Sequence, residues 1–255
     1  MKVELMSVTA DALDLLLRTK GTRLKHSDDP ATWSEEKKAE HLAYMRDTIK
    51  SSWEFVTYVF NITGVTRAFT HQLVRHRHGS YAQEAMRVID ASGFDHLVPP
   101  SVAENEDRVE EWKAIMDGID IGYRNLVAMD VPRQDARGVL PTNVLTNIIA
   151  KYDLRTLAQM AELRLCTRTQ GEFQDVFREM RRLVIEQHPW AEEFINVYCV
   201  NHTHCAFPRY GEAECPVYEA VMPNAAVDGL RRVIKLRFSE VRHEARPMAK
   251  DGKAM

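Results

Sequence analysis

Between Arg75 and Arg87 the chain reads RHRHGSYAQEAMR, which places Arg75, His76, Arg77, Ser80, Gln83 and Arg87 within thirteen positions. Guanidinium groups are planar, permanently charged and able to grip a phosphate with two parallel hydrogen bonds. A cluster of this kind therefore suits a mononucleotide or a dinucleotide cofactor better than a neutral ligand. The same residues also fit a solvated basic turn, because cations are favoured at a helix C-terminus by a few tenths to about 1 kcal/mol each. His76, set between two arginines, is expected to resist protonation.

A second group of reactive side chains lies further along: Cys199, His202, His204, Cys205 and Cys215. These are ligand types that tetrahedral zinc sites use, but the spacing is irregular and lacks a second Cys-x-x-Cys pair. The favoured reading is a loop of buried, reduced thiols with no metal, with a zinc site as the alternative. Cys166 sits in a helical pattern without an activating partner nearby in sequence, which argues against a nucleophile.

The elements that would position these groups are legible from periodicity. A strand-like opening leads to Thr32-Trp33-Ser34-Glu35, spaced as a capping box, and a first helix is expected near 34–50 with Leu42, Met45 and Ile49 on one side. Val56, Tyr58, Phe60 and Ile62 alternate as in a strand, which Gly64 is expected to end. Val65, Ala68, Phe69 and Leu73 mark a helix that finishes at the basic triplet, with Gly79 as its stop and an exposed loop beyond. An amphipathic helix is predicted over about 104–129, and Pro132 suits the opening turn of the next. Val144 to Tyr152 reads as a strand, Asp153 as the cap of a helix carrying Leu154, Leu157, Ala158 and Ala161, and 170–187 as a further helix ended by Pro189. Arg155, Gln159 and Glu162 share another face of the Asp153-capped helix. A basic tail from Val227 to Arg242 has a helical pattern.

The sum is a helix-rich α+β chain with a small antiparallel sheet. With 255 residues and 45% hydrophobic, 28% charged composition, one domain spanning 1–255 is expected, with a C-terminal extension from about 196. A formal charge of −3 supplies no general field for nucleic acid or an anionic membrane, and no apolar run is long enough to span one. No nucleic-acid or membrane partner is expected. The acidic residues in MKVELMSVTADALDLLL argue against a signal peptide, and a cytoplasmic location is expected.

The Arg75–Arg87 stretch resembles the signature of flavin-dependent thymidylate synthases: Arg75, His76, Arg77, Ser80, Gln83 and Arg87 match it. The likeness extends to Ser51-Ser52-Trp53-Glu54-Phe55, Gln72, the Ala136–Pro141 segment with Arg137, and Asp153, Arg155, Gln159 and Arg164, in the family's order over roughly 35–195. It implies FAD-dependent reductive methylation at C5 of a pyrimidine nucleotide, dUMP to dTMP, with methylenetetrahydrofolate and NADPH as co-substrates. It also implies a homotetramer with shared active sites. Gln72, Arg75, Gln83, Arg87, Arg137 and Arg164 would contact the nucleotide, with Arg164 and Arg87 in the catalytic role. Arg164 would stand near the uracil base, where a cation stabilises charge developing on the ring. Glu54, His76, Arg77, His78, Asp153, Arg155 and Gln159 would lie on the FAD side.

Ala82, Ala85 and Val88 depart from the signature, where the family has Asn, Ser and Tyr. Asp153 stands in place of an Asn, and Ile49 or Lys50 where a His is frequent. Losses of this kind would also suit a homologue that methylates or hydroxymethylates UMP or dCMP, or one that binds nucleotide or flavin without catalysis.

Overall fold

The computed structural model of the protein describes residues 1–23, 29–48 and 50–218. The elements in order are β1 (Lys2–Val8), α1 (Ala12–Arg23), α2 (Glu35–Arg46), β2 (Thr57–Thr66), α3 (Arg67–Leu73), β3 (Ser80–Gln83), α4 (Pro100–Ala103), α5 (Glu106–Ala128) and α6 (Arg133–Ala136). There follow β4 (Leu145–Asp153), α7 (Leu154–Arg164), α8 (Gly171–Gln187), α9 (Tyr198–His202) and α10 (Pro208–Glu214), with a 3-10 turn over Lys50–Phe55 leading into β2. The four strands form one antiparallel sheet in the order β1-β2-β4-β3. The result is a helix-rich α+β arrangement.

Alternation decides which face of the sheet is covered. Tyr58, Phe60 and Ile62 of β2 pair with Tyr152, Ala150 and Ile148 of β4, and all six are buried. Their neighbours Asn147, Ile149 and Lys151 point the other way and are exposed. The covered face meets α8, whose stripe of Phe173, Val176, Phe177, Met180 and Val184 is buried as its helical spacing predicts. Leu154, Leu157, Ala158 and Ala161 of α7 join the same core.

Several expectations need correction. Gly64 does not end β2: the strand continues to Thr66 through an irregularity in its register between Ile62 and Val65. Gly64 has φ +65°, and a Cβ there would lie 3.3 Å from the Met1 nitrogen, so a glycine is required at this bulge. The helix after it stops at Leu73, and the basic triplet lies in the turn beyond, where His76 N–H bonds to the Leu73 carbonyl and Gly79 N–H to that of His76. Ser80–Gln83 is not a loop but an edge strand, registered on Lys151 to Ile148 of β4.

Near the N-terminus, α1 precedes the helix expected first; Leu16 and Leu17 bury it. The cap of α2 is Ser34, which accepts from Lys37 N–H at 3.3 Å. Thr32 turns back instead to the Asp29 carbonyl, so the capping box begins two residues too early. That helix ends at Arg46 rather than near residue 50; Ile49 and the basic tail from Val227 lie outside the described residues. On α5 only Met116 and Tyr123 are fully buried; Val109, Trp112, Ile119 and Leu126 are partly covered by the described residues, and Ile115 and Ile121 are exposed.

Candidate active site

The helix that carries Arg164 is fixed at both ends. Asp153 accepts from Thr156 N–H at 2.6 Å at the first turn of α7, and the buried leucines and alanines set its rotation. Arg164, in the last turn, is half-buried: its Nε donates to His76 Nε2 at 3.2 Å and its guanidinium lies 4.4 Å from the Phe173 ring centroid. Burial lowers its affinity for protons, yet a guanidinium with so high an ordinary pKa stays charged.

His76 is held neutral. Burial first, and the Arg164 cation second, push its pKa from 6.5 down to about 4. Because Nε2 accepts from Arg164, the ring proton resides on Nδ1. The expectation of a neutral His76 holds, but the opposing charge is Arg164 from α7 rather than its chain neighbours. The turn itself is pinned by Tyr81, whose hydroxyl donates to the carbonyls of Leu73 (3.0 Å) and His76 (2.6 Å). Gly79 lets the tyrosines close over it, since a Cβ there would lie 2.5 Å from the Tyr152 ring and from the Tyr81 hydroxyl.

Around α3 the structure gathers most of the expected nucleotide contacts. Gln72 Nε2 donates to Gln170 Oε1 at 2.5 Å, Gln83 Nε2 to Thr70 Oγ1 at 2.8 Å, and Arg75 Nη2 to His71 Nε2 at 3.4 Å. Glu172 clamps the start of the same helix, accepting from Thr66 N–H (2.7 Å) and Oγ1 (2.5 Å). Arg137 is turned onto the Gln134 carbonyl, near enough to Arg67 for its like charge to lower the Arg67 pKa after the larger effect of burial. Arg77, His78 and Arg87 are exposed.

Three of the residues expected on the cofactor side, Glu54, Arg155 and Gln159, gather elsewhere. A cleft of about 590 Å³ is lined by Lys50, Trp53, Arg155, Gln159 and Phe194 among others. Arg155 Nη1 bonds to Glu54 Oε1 at 2.5 Å at its edge. Asp153 is engaged in capping, and His76 belongs to the Arg164 group. Arg155 and Arg164 are nine residues apart on one helix, so they stand about 13 Å apart along its axis and on opposite sides of it. One compact pocket within a single chain does not hold both.

Sequence reasoning missed Arg67 and Gln170 near these groups, noted Lys50 only as one of two positions where a His is frequent, and saw Phe173 only as core. A Gln six residues beyond Arg164 carries no periodic signal, and the partnership of Gln72 with Gln170 spans 98 positions.

The four cysteines are free and partly buried. Burial raises the pKa of Cys166, and pushes that of Cys199 up to about 12, which keeps both as unreactive thiols. Among the described residues no three His, Cys, Asp or Glu side chains are placed to hold a metal ion, and no helix is long and apolar enough to cross a membrane.

An α+β scaffold that presents arginines and amide side chains on two surfaces belongs to the class of chains able to meet anionic ligands. Comparison with known sequences narrows that class. The family model for the thymidylate synthase complementing protein matches residues 5–190, and the chain belongs to that family. It is similar to the flavin-dependent thymidylate synthase of Geobacter sulfurreducens, 40% identical over 137 residues, which are 53% of this chain and 59% of that protein. The enzyme of the same name from Nitratidesulfovibrio vulgaris is 32% identical over 179 residues, 67% of this chain and 73% of the relative. That of Sulfurisphaera tokodaii is 32% identical over 212 residues, 79% and 80% of the two chains.

Proposed function

We propose that this protein is a flavin-dependent thymidylate synthase that methylates C5 of a pyrimidine nucleotide, dUMP to dTMP, with FAD as cofactor and NADPH and methylenetetrahydrofolate as co-substrates. The observation that carries the reading is the Arg164 group: a half-buried guanidinium seated on Phe173 and bonded to a neutral His76. A cation held in a partly dry setting stabilises negative charge on a pyrimidine ring far better than one in water. The neutral imidazole fixes its direction without competing for that charge. The α+β arrangement is, in this reading, the family's own fold.

Gln72, Arg75, Gln83, Arg87 and Arg137 are assigned to the nucleotide. Glu54, Arg77, His78, Asp153, Arg155 and Gln159 are assigned to the cofactor, together with His76 through its turn. The donors in the 590 Å³ cleft fit a flavin dinucleotide: charged Lys50 and Arg155 and the Gln159 amide for its polar groups, Trp53 and Phe194 for its apolar surface. Bound FAD would pass reducing equivalents from NADPH to the nucleotide. The chain's part is to bind, orient and exclude water. Because Arg155 and Arg164 project from opposite sides of α7, the site is completed by a second copy of the chain, and the exposed Ile115, Ile121 and Met129 support an assembly such as a homotetramer.

The substrate is tested by incubating the protein with FAD, NADPH, methylenetetrahydrofolate and dUMP, UMP or dCMP in turn, with products identified by mass. A methylated product from dUMP is expected. A second reading has one observation in its favour: Ala82 lies on the exposed face of β3 opposite Ile149, so it offers a ligand no polar group. Product from UMP or dCMP alone would establish that alternative, and no product from any nucleotide by a flavin-loaded protein would leave a binding role.

A further inference from the structure

The family model ends at residue 190, yet the cofactor cleft does not: Asn196, Val200, Asn201 and His202 also line it. Val200 is buried and Cys199 packs against the core, so α9 is anchored rather than lying loosely over the opening. Both polar side chains at its end turn to one carboxylate on α7. Asn201 Nδ2 donates to Glu162 Oε1 at 3.4 Å, and His202 Nε2 lies 3.3 Å from the same oxygen. The His202 ring is itself held, stacked on Tyr198 at 4.1 Å between centroids, while the His204 ring bonds both the His202 carbonyl (2.8 Å) and the Tyr198 hydroxyl (3.1 Å).

The electrostatics of the cleft give this arrangement a purpose. Asp47, Glu162 and Glu193 line a space assigned to a ligand with two phosphates, and each carboxylate would repel it. Arg46 bonds to both Asp47 (3.0 Å) and Glu193 (3.3 Å), and Arg155 bonds to Glu54. Glu162 has no arginine or lysine among its ion-pair partners in the described residues; its donors come from α9. Asp47, Glu162 and Glu193 are thereby all matched, which leaves Lys50, Arg155 and Gln159 to meet an anion.

Resting on the reading that this cleft takes the flavin dinucleotide, we infer that α9 is a working part of the cofactor site: Asn201 and His202 wall the cleft and hold the Glu162 carboxylate away from the phosphates. These are positioning residues, acting through Glu162.

The test is the affinity of the full chain for FAD, read from quenching of flavin fluorescence. The Asn201→Ala, His202→Ala double variant is expected to bind about five-fold more weakly, the upper range for a partly exposed ion pair. Adding Glu162→Gln to it should restore affinity to within about two-fold of the parent, since a neutral amide has no charge to be held away. His202→Gln, which keeps a donor toward Glu162, should bind like the parent. Equal affinity of the double variant and the parent, or no rescue by Glu162→Gln, overturns the inference while the cleft assignment stands. Should the double variant fail to fold, Glu162→Gln alone decides: unchanged or tighter binding supports the inference, and weaker binding overturns it. A well-folded parent that binds no FAD removes the cleft assignment and this inference with it.

Discussion

At the C-terminal end of α7, Arg164 is half-buried against Phe173 and bonded to an imidazole; at the N-terminal end, Arg155, partly exposed at the cleft, bonds to the exposed carboxylate of Glu54. The two arginines share a helix and a chemistry, but their surroundings put them to different use. Desolvation fixes the first in one direction and strengthens its field, which suits a group that must meet charge at one atom. The second is paired with an exposed carboxylate, and in the proposed reading it is the one that meets a phosphate. Under the proposed function, position along one helix is thus enough to separate the cation assigned to catalysis from the one assigned to binding.

The sharpest break in that comparison is Arg164→Ala. Turnover of the favoured nucleotide is expected to fall by at least about 100-fold, the scale on which loss of an oriented charge-stabilising donor acts. Turnover within a few-fold of the parent would show that the buried end is only structural. Next in size is Gly79→Ala, which forces a methyl into the Tyr81–Tyr152 contact behind His76 and is expected to destabilise the chain by about 1–3 kcal/mol in urea unfolding. Gly138→Ala, where a Cβ meets nothing within 4 Å, is the control and should change little.

Acid should also distinguish the two ends. The unfolded chain takes a proton on His76 near its ordinary pKa of 6.5, whereas the folded chain resists until about 4. The contribution of His76 to stability is therefore complete above pH 6.5 and is lost as pH falls toward 4. Urea midpoints at pH 7 and 4.5 should differ less in His76→Gln than in the parent. The smallest effect belongs to the solvated end: Glu54→Gln should move stability by under about 0.5 kcal/mol, since exposed ion pairs contribute little. A loss several times larger would mean that Arg155 is as confined as Arg164.

Where local spacing governs, the chain could be read in advance. The alternation from Val56 to Ile62, the Asp153 cap and the stripe of α8 all follow from neighbours in sequence, and each stands as expected. The edge strand Ser80–Gln83 was not legible, because its Ser-Tyr-Ala-Gln sequence has little strand preference and owes its form to β4, almost seventy residues on. Gly64 misled for a related reason: whether a glycine ends a strand or bulges it depends on what packs opposite. At the site, residue types and order pointed to Arg75, His76 and Arg164, but not to the bond between the last two or the distribution of the others over two surfaces. Those are tertiary facts.

The clamp of Glu172 on Thr66 joins residues 106 positions apart, and the Arg164 bond to His76 joins residues 88 apart. At about 5–20 residues per second, the helix leading to the basic turn is synthesised some 5–20 s before the carboxylate that secures its first turn. Throughout that interval the first turn of the helix has only the Thr66 side chain to hold it, and the His76 ring waits for its one late partner.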